Sequence, residues 1–166
     1  MARARVRRGS LADLAVLVLH RRLMWTDIGN RTKRQLNAAD STYRRWLRAR
    51  LKSGKCAAFV VEVGDEVVAS GVIWIQEAQP RPGWTGTRQG YLLSMYTAQA
   101  HRGKGLASRI VSAALKWARS QGLDRVTLHA SDQGKGLYAR AGFERTREMR
   151  IVLRPGARTR KRPRRG

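Results

Sequence analysis

One stretch constrains this chain more than any other: a strand-like run that turns through two closely spaced glycines into a long amphipathic helix. Tyr91-Leu92-Leu93-Ser94-Met95-Tyr96-Thr97 reads as a buried strand, and His101-Arg102-Gly103-Lys104-Gly105-Leu106-Ala107 follows it. The glycines permit a sharp turn and a close backbone approach to a ligand. From Leu106 onward, apolar residues recur at spacings of three and four (Leu106, Ile110, Ala114, Trp117), flanked by Ala107, Val111, Leu115 and Ala118. Ser108, Ser112, Lys116 and Arg119 fill the other face, and Gly122 supplies a C-terminal cap. Free N–H groups at a helix start, with the helix dipole behind them, bind phosphate. Arg102, Lys104 and Arg109 add positive charge at the same place. The stretch reads as a pyrophosphate cradle between a strand and a helix.

Two common phosphate loops do not fit. A Walker loop needs four residues between its glycines and then Lys-Ser/Thr, and a dinucleotide fingerprint needs a glycine where Ser108 stands. What fits is Arg102-x-x-Gly105-x-Ala107, which resembles the R/Q-x-x-G-x-G/A signature of the GNAT superfamily of N-acetyltransferases. Downstream, Leu137-Tyr138-Ala139-Arg140-Ala141-Gly142-Phe143 resembles that family's L-Y-x-x-x-G-F segment. The resemblance runs from about Val6 to Leu153 and is strongest from Tyr91 to Phe143.

The rest of the chain supports an α+β reading. Ala4 to Arg8 reads as a first strand. Ser10 caps a helix with Asp13 three residues on, and Leu11, Leu14, Leu17 and Val18 form its buried stripe until Asp27 to Asn30 ends it. Asn30 to Asp40 reads as a polar link. A second helix follows with Tyr43, Trp46, Leu47 and Leu51 on one face and Arg44, Arg45, Arg48 and Arg50 on the remainder. Ala57 to Val63 and Val67 to Ile75 are β-rich and joined by the turn Gly64-Asp65-Glu66. Gln76 to Gln89 reads as a mobile loop in which Trp84 is an anchor. After the central helix come a strand at 125–130, a short helix at 134–141 carrying Tyr138, and a final strand or strand pair at 143–153. The strand–helix–strand unit from Tyr91 to Ala130 should be a parallel right-handed crossover. The order matches the GNAT fold, a mixed central sheet with helices on both faces, as one domain over residues 1–154. Residues 155–166 hold Pro, Gly and Arg with almost nothing apolar, and are expected to be a disordered basic tail.

Composition narrows the partners. With 35 Lys+Arg against 11 Asp+Glu, the formal net charge is +24. Such a field draws polyanions, through the basic tails above all. A basic RNA- or ribosome-associated binding protein on the same fold is therefore the competing reading. The single cysteine, Cys56, allows no internal disulfide and suits a reducing compartment. One Cys and three His make no metal-binding spacing, and no apolar run reaches membrane-spanning length. The expectation is a cytoplasmic protein, monomeric or homodimeric, with no metal.

The resemblance also implies chemistry. Acetyl-CoA would be the acetyl donor and a primary amine the acceptor. Backbone groups of Met95, Tyr96 and Thr97 would pair with the pantetheine arm, and a main-chain N–H near Met95 or Tyr96 would polarise the carbonyl. The amides of Arg102, Gly103, Lys104, Gly105, Leu106 and Ala107 would hold the pyrophosphate. Tyr138 stands where the family places its general acid. Ser131 stands where many members carry an asparagine that binds pantetheine. The first helices usually line the acceptor pocket in this family, which brings Met24 or Trp25 to the substrate if they are not core. No carboxylate lies on the central strand; Glu77, Asp132 and His129 are the remaining candidates for a base, and none is assigned.

Overall fold

The computed structural model describes residues 3–29, 31–151 and 153, so the tail expected at 155–166 lies outside the described residues. Five strands form one sheet in chain order: β1 (Arg5–Arg8), β2 (Cys56–Val63), β3 (Glu66–Glu77), β4 (Arg88–Thr97) and β5 (Val126–Leu128). The first four pair antiparallel, and β5 joins β4 in parallel. A parallel neighbour needs a crossover, which α3 (Leu106–Ser120) provides.

The periodicity of β2 explains the layering. Cys56, Ala58 and Val60 face one way and pack with Leu14, Leu17 and Val18 of α1 (Leu14–Ile28) and with Tyr43 and Leu47 of α2 (Lys33–Lys52). Ala57, Phe59 and Val61 face the other way and pack with Leu106, Ile110, Val111, Ala114 and Ala118 of α3. A strand covered on both faces carries a continuous apolar run, and this one does. The short helix α4 (Lys135–Arg140) adds Tyr138 to the core on the α3 side. This is the expected α+β architecture with a mixed sheet between helices.

The first turn is fastened as the sequence suggests. The Ser10–Asp13 capping box is present, opening a 3-10 turn that leads into α1. The Asp13 carboxylate also takes two bonds from the Arg7 guanidinium, at 2.7 and 2.9 Å.

Three expectations change. The polar link at 30–40 is mostly helix, because α2 begins at Lys33. Gln35 N–H donates to Thr32 Oγ1 at 3.2 Å, and Thr32 N–H donates to Gln35 Oε1 at 2.9 Å, which closes a capping box. Favourable propensity and this cap extend the helix without an apolar stripe. The loop read at 76–89 is shorter, since Glu77 and Arg88 still pair in register. Trp84 is an anchor: its Nε1–H donates to Asp124 at 3.0 Å, and the Arg125 guanidinium lies 4.3 Å over its ring. Residues 144–151 form no strand. Met149 and Ile151 would share one face at strand spacing, yet both are exposed.

Candidate active site

The central strand is interrupted at the residues the sequence singled out. Val72 pairs with Leu93 and Ser70 with Tyr96, so Gly71 faces both Ser94 and Met95. That extra residue is a β-bulge. Ser94 adopts φ 54°, the one positive φ outside glycine among the described residues. The Met95 sulfur occupies the space where a Cβ on Gly71 would stand, and Ile110 closes the rest. A side chain at position 71 therefore does not fit beside the bulge.

Pairing between β4 and β5 ends at Leu92 with Leu128. Beyond that point β4 pairs with β3 alone, so the backbone edge from Met95 to Thr97 has no strand beside it among the described residues. An open edge next to a bulge accepts an extended ligand as an added strand.

The cradle lies just past this edge. Gly105 is the N-cap of α3 at φ 73°, with no side-chain cap, and Gly103 has φ 75°. A Cβ on either glycine would meet nothing within 4 Å, so both face open space. Buried Leu106 pins the first turn to the core, with Ala107 half-buried next to it. The basic side chains around the loop serve as braces. Arg102 Nε–H donates to the Thr97 carbonyl at 3.0 Å while its guanidinium pairs with Asp27 at the end of α1. Lys104 Nζ donates to the Ala100 carbonyl at 3.0 Å, and Arg109 donates to Ala4 at 3.2 Å. The start of α3 has no side-chain cap, and its dipole points at the same opening.

Tyr138 is buried on α4, edge-on to Phe143 at 5.8 Å. Burial pushes its phenol above the ordinary value, so it stays protonated at neutral pH and can donate. Leu137 and Phe143 pack against the core beside it. Ser131 accepts the Gly134 N–H at 3.2 Å and so shapes the turn into α4. Between α3 and α4 lies a cleft of about 320 Å³, lined by Ser108, Val111, Ser112, Leu115, Leu137 and Arg140 among others.

The opposite face of β4 carries pairings that sequence reasoning missed, one of them made by the candidate base His129. Tyr43 donates to Ser94 Oγ at 3.1 Å, and burial pushes its phenol up to about 12. His20 is buried with Nδ1 2.8 Å from Ser70 Oγ and its ring 4.9 Å from that of Tyr96; burial lowers its pKa. The Tyr91 hydroxyl is hydrogen-bonded to His129 Nδ1, and His129 Nε2 lies 3.6 Å from Glu148. No local pattern marks these pairs, whose partners are 50, 51 and 38 residues apart. Of the other candidate bases, Glu77 ends β3 away from the bulge, and Asp132 is bonded to Lys135 at 2.6 Å.

The family model of the GNAT acetyltransferases matches residues 9–143. The chain belongs to the GNAT acetyltransferase family. N-acetyltransferase 8F1 of Rattus norvegicus is 31% identical over 131 residues, which is 77% of this chain and 50% of that protein. N-alpha-acetyltransferase MAK3 of Arabidopsis thaliana is 36% identical over 66 residues, 38% of this chain and 35% of that one. This GNAT chain thus spans half or less of these curated relatives. Among solved structures, a GCN5-related N-acetyltransferase from Ralstonia eutropha superposes with a TM-score of 0.85 at 29% identity, over 91% of this chain and 99% of its own. A protein from Clostridium acetobutylicum described as a predicted acetyltransferase and solved with acetyl-CoA has the same fold, with a TM-score of 0.83 at 23% identity over 90% and 96% of the two chains. Among the described residues of the GNAT domain, no helix is long and apolar enough to cross a membrane.

Proposed function

We propose that the protein is an acetyl-CoA-dependent N-acetyltransferase that moves an acetyl group directly to a primary amine. The observation that carries this reading is the coincidence of three features: an uncapped helix start faced by two open glycines, an unpaired β4 edge beyond Leu92, and a buried tyrosine on α4. These fit the three parts of the donor. The amides of residues 103–107 suit a pyrophosphate, the edge at Met95, Tyr96 and Thr97 suits the amide-bearing pantetheine arm, and Tyr138 suits the sulfur. Ser131 stays beside the start of α4, where its hydroxyl hydrogen can still reach the arm.

Acetyl-CoA supplies the acyl group as a thioester. The protein's part is to hold, polarise and move protons. A main-chain N–H at the bulge, near Met95 or Tyr96, donates to the carbonyl oxygen as negative charge grows there. The Tyr91–His129 pair stands where β4 and β5 part and is well placed to remove the amine's proton. Tyr91 oxygen accepts that proton as its own passes to His129 Nδ1, leaving an imidazolium beside Glu148. Tyr138 gives its proton to the departing sulfur.

The reading is tested by titrating the protein with acetyl-CoA in a calorimeter and following thiol release with a panel of amines. Saturable binding followed by amine-dependent thiol release is expected. Absence of binding to a folded sample ends the reading.

A further inference from the structure

The outer face of α2 carries charge that nothing in the fold neutralises. Its exposed basic residues are Lys33, Arg34, Arg44, Arg45, Arg48 and Lys52, and none of them makes an ion pair among the described residues. The acids of the α1–α2 layer are committed elsewhere: Asp27 pairs with Arg102, and Asp40 with Arg22. At about 100° per residue, the six basic residues fall within roughly 120° of the helix circumference. Lys33 and Arg44 run along one flank of this arc, and Arg34, Arg45 and Lys52 along the other. Asn37, Ser41 and Arg48 lie between the flanks. Tyr43 and Leu47, which bury α2 against the sheet, are on the far side. From Lys33 to Lys52 the stripe spans about 28 Å at the rise of a helix.

Helix stability does not account for this placement. Lys33 and Arg34 open the helix, where the dipole disfavours positive charge, and the first turn holds no acid. Arg44 and Arg48, Arg45 and Arg48, and Arg48 and Lys52 stand three or four residues apart, so like charges repel at neighbour spacing. Of the six, the dipole favours Lys52 alone, in the last turn. The stripe is instead suited to a partner that brings negative charge. The exposed positions of α2 hold nothing apolar larger than alanine. A protein interface is built round an apolar centre, and a helix on a lipid surface buries an apolar face, so neither matches. No aromatic side chain is exposed there for the bases of a single strand to stack on. Two basic flanks match two rows of phosphates. The major groove of B-form DNA, about 12 Å wide, admits a helix about 10–12 Å across, whereas that of duplex RNA is too narrow to be read.

We infer that the outer face of α2 binds double-stranded DNA, with the helix seated in the major groove. The two flanks face the phosphates of the two strands, and Asn37, Ser41 and Arg48 face the base edges. The surface lies on the layer of the sheet opposite α3, so it is separate from the donor cradle and does not depend on the acetyl-transfer reading.

The test uses the full chain and a short fluorescent DNA duplex. Anisotropy titrations at several salt concentrations compare the wild type with two variants that lose the same net charge. One is Arg44→Gln/Arg45→Gln/Arg48→Gln. The other is Lys116→Gln/Arg145→Gln/Arg147→Gln, whose positions are exposed away from α2. The α2 variant should bind DNA about 10²-fold more weakly in about 0.1 M salt. Its slope of log affinity against log salt should flatten by about 2–3, the loss of about three phosphate contacts. The second variant should change little in either respect, and thermal melts by circular dichroism should show both folded. In the wild type, DNA should protect Lys33 and Lys52 from an amine-reactive label and leave Lys116 open to it. The inference is overturned if the two variants weaken DNA binding equally, since net charge alone then explains it. It is overturned too if the wild type binds duplex RNA, polyglutamate or phosphatidylserine vesicles as tightly as DNA. Labelling of Lys33 and Lys52 that DNA does not slow also overturns it, and that measurement needs no variant.

Discussion

Gly105 offers a perturbation whose two effects can be separated. It stands at φ 73° with open space where a Cβ would be, so Gly105→Ala meets no clash. The cost to folding is backbone strain alone, about 1–2 kcal/mol for an L-residue in the left-handed region. In a chain of this size that lowers Tm by roughly 2–8 °C. Gly122 is a matched control, with φ 66° and equally empty surroundings at the other end of α3. Gly122→Ala should cost the same stability by the same mechanism. The two should part in ligand binding. A methyl at 105 stands in the opening onto which the amides of 103–107 face, and displacing an anion from even one such donor costs about 1.5–3 kcal/mol. CoA affinity should therefore fall about 10- to 100-fold in Gly105→Ala and stay at the wild-type value in Gly122→Ala. Differential scanning calorimetry gives the first pair of numbers and isothermal titration the second. Equal CoA affinity in the two variants would falsify the cradle, whatever their melting temperatures.

Three further outcomes are expected. Tyr138→Phe keeps the ring and its packing against Phe143, so the fold and acetyl-CoA binding should survive while the single-turnover rate falls on the order of 10²-fold; an unchanged rate makes Tyr138 a packing residue. His129→Gln should lower kcat by about 10²-fold or more with little change in CoA affinity, and a rate within twofold of wild type would remove the Tyr91–His129 pair from the chemistry. Arg7 holds the Asp13 carboxyl down at about 2, against an ordinary 3.8, so the pairing stabilises the fold fully above about pH 4 and is lost as the pH falls toward 2. Because Arg7 is 29% exposed, screening reduces the contribution to about 1–2 kcal/mol; Asp13→Asn should lose that much at pH 7 and show a flatter acid limb in urea melts, and an acid limb as steep as wild type would contradict it.

Much of the protein was legible because its signals are local. The spacing of Leu106, Ile110, Ala114 and Trp117 specifies α3 without reference to any other element. Gly103 and Gly105 specify the turn before it, since few other residues tolerate their φ values. The Ser10–Asp13 box depends on residues three apart. The Thr32–Gln35 box is equally local, but no apolar stripe follows it directly to mark a helix. The final strand failed for the opposite reason. Met149 and Ile151 alternate as a strand face would, yet both stay exposed, because a local pattern does not supply the partner such a face must pack against.

What only the tertiary structure decided is which side chains stand together and which are left over. Arg102 looked like a phosphate ligand in the sequence, and the folded chain uses it to join α1, the glycine loop and the end of β4. Tyr91 and His129 become a pair only through the register of β4 and β5, and Tyr43 meets Ser94 only because a bulge turns that residue toward α2. Arg21 reads as one arginine among many until packing stacks it on Tyr43 and assigns the neighbouring acid to Arg22. Periodicity and turn chemistry are properties of a few consecutive residues. Desolvation and partner choice depend on distant segments meeting, so the chemistry around β4 appears only in the folded chain.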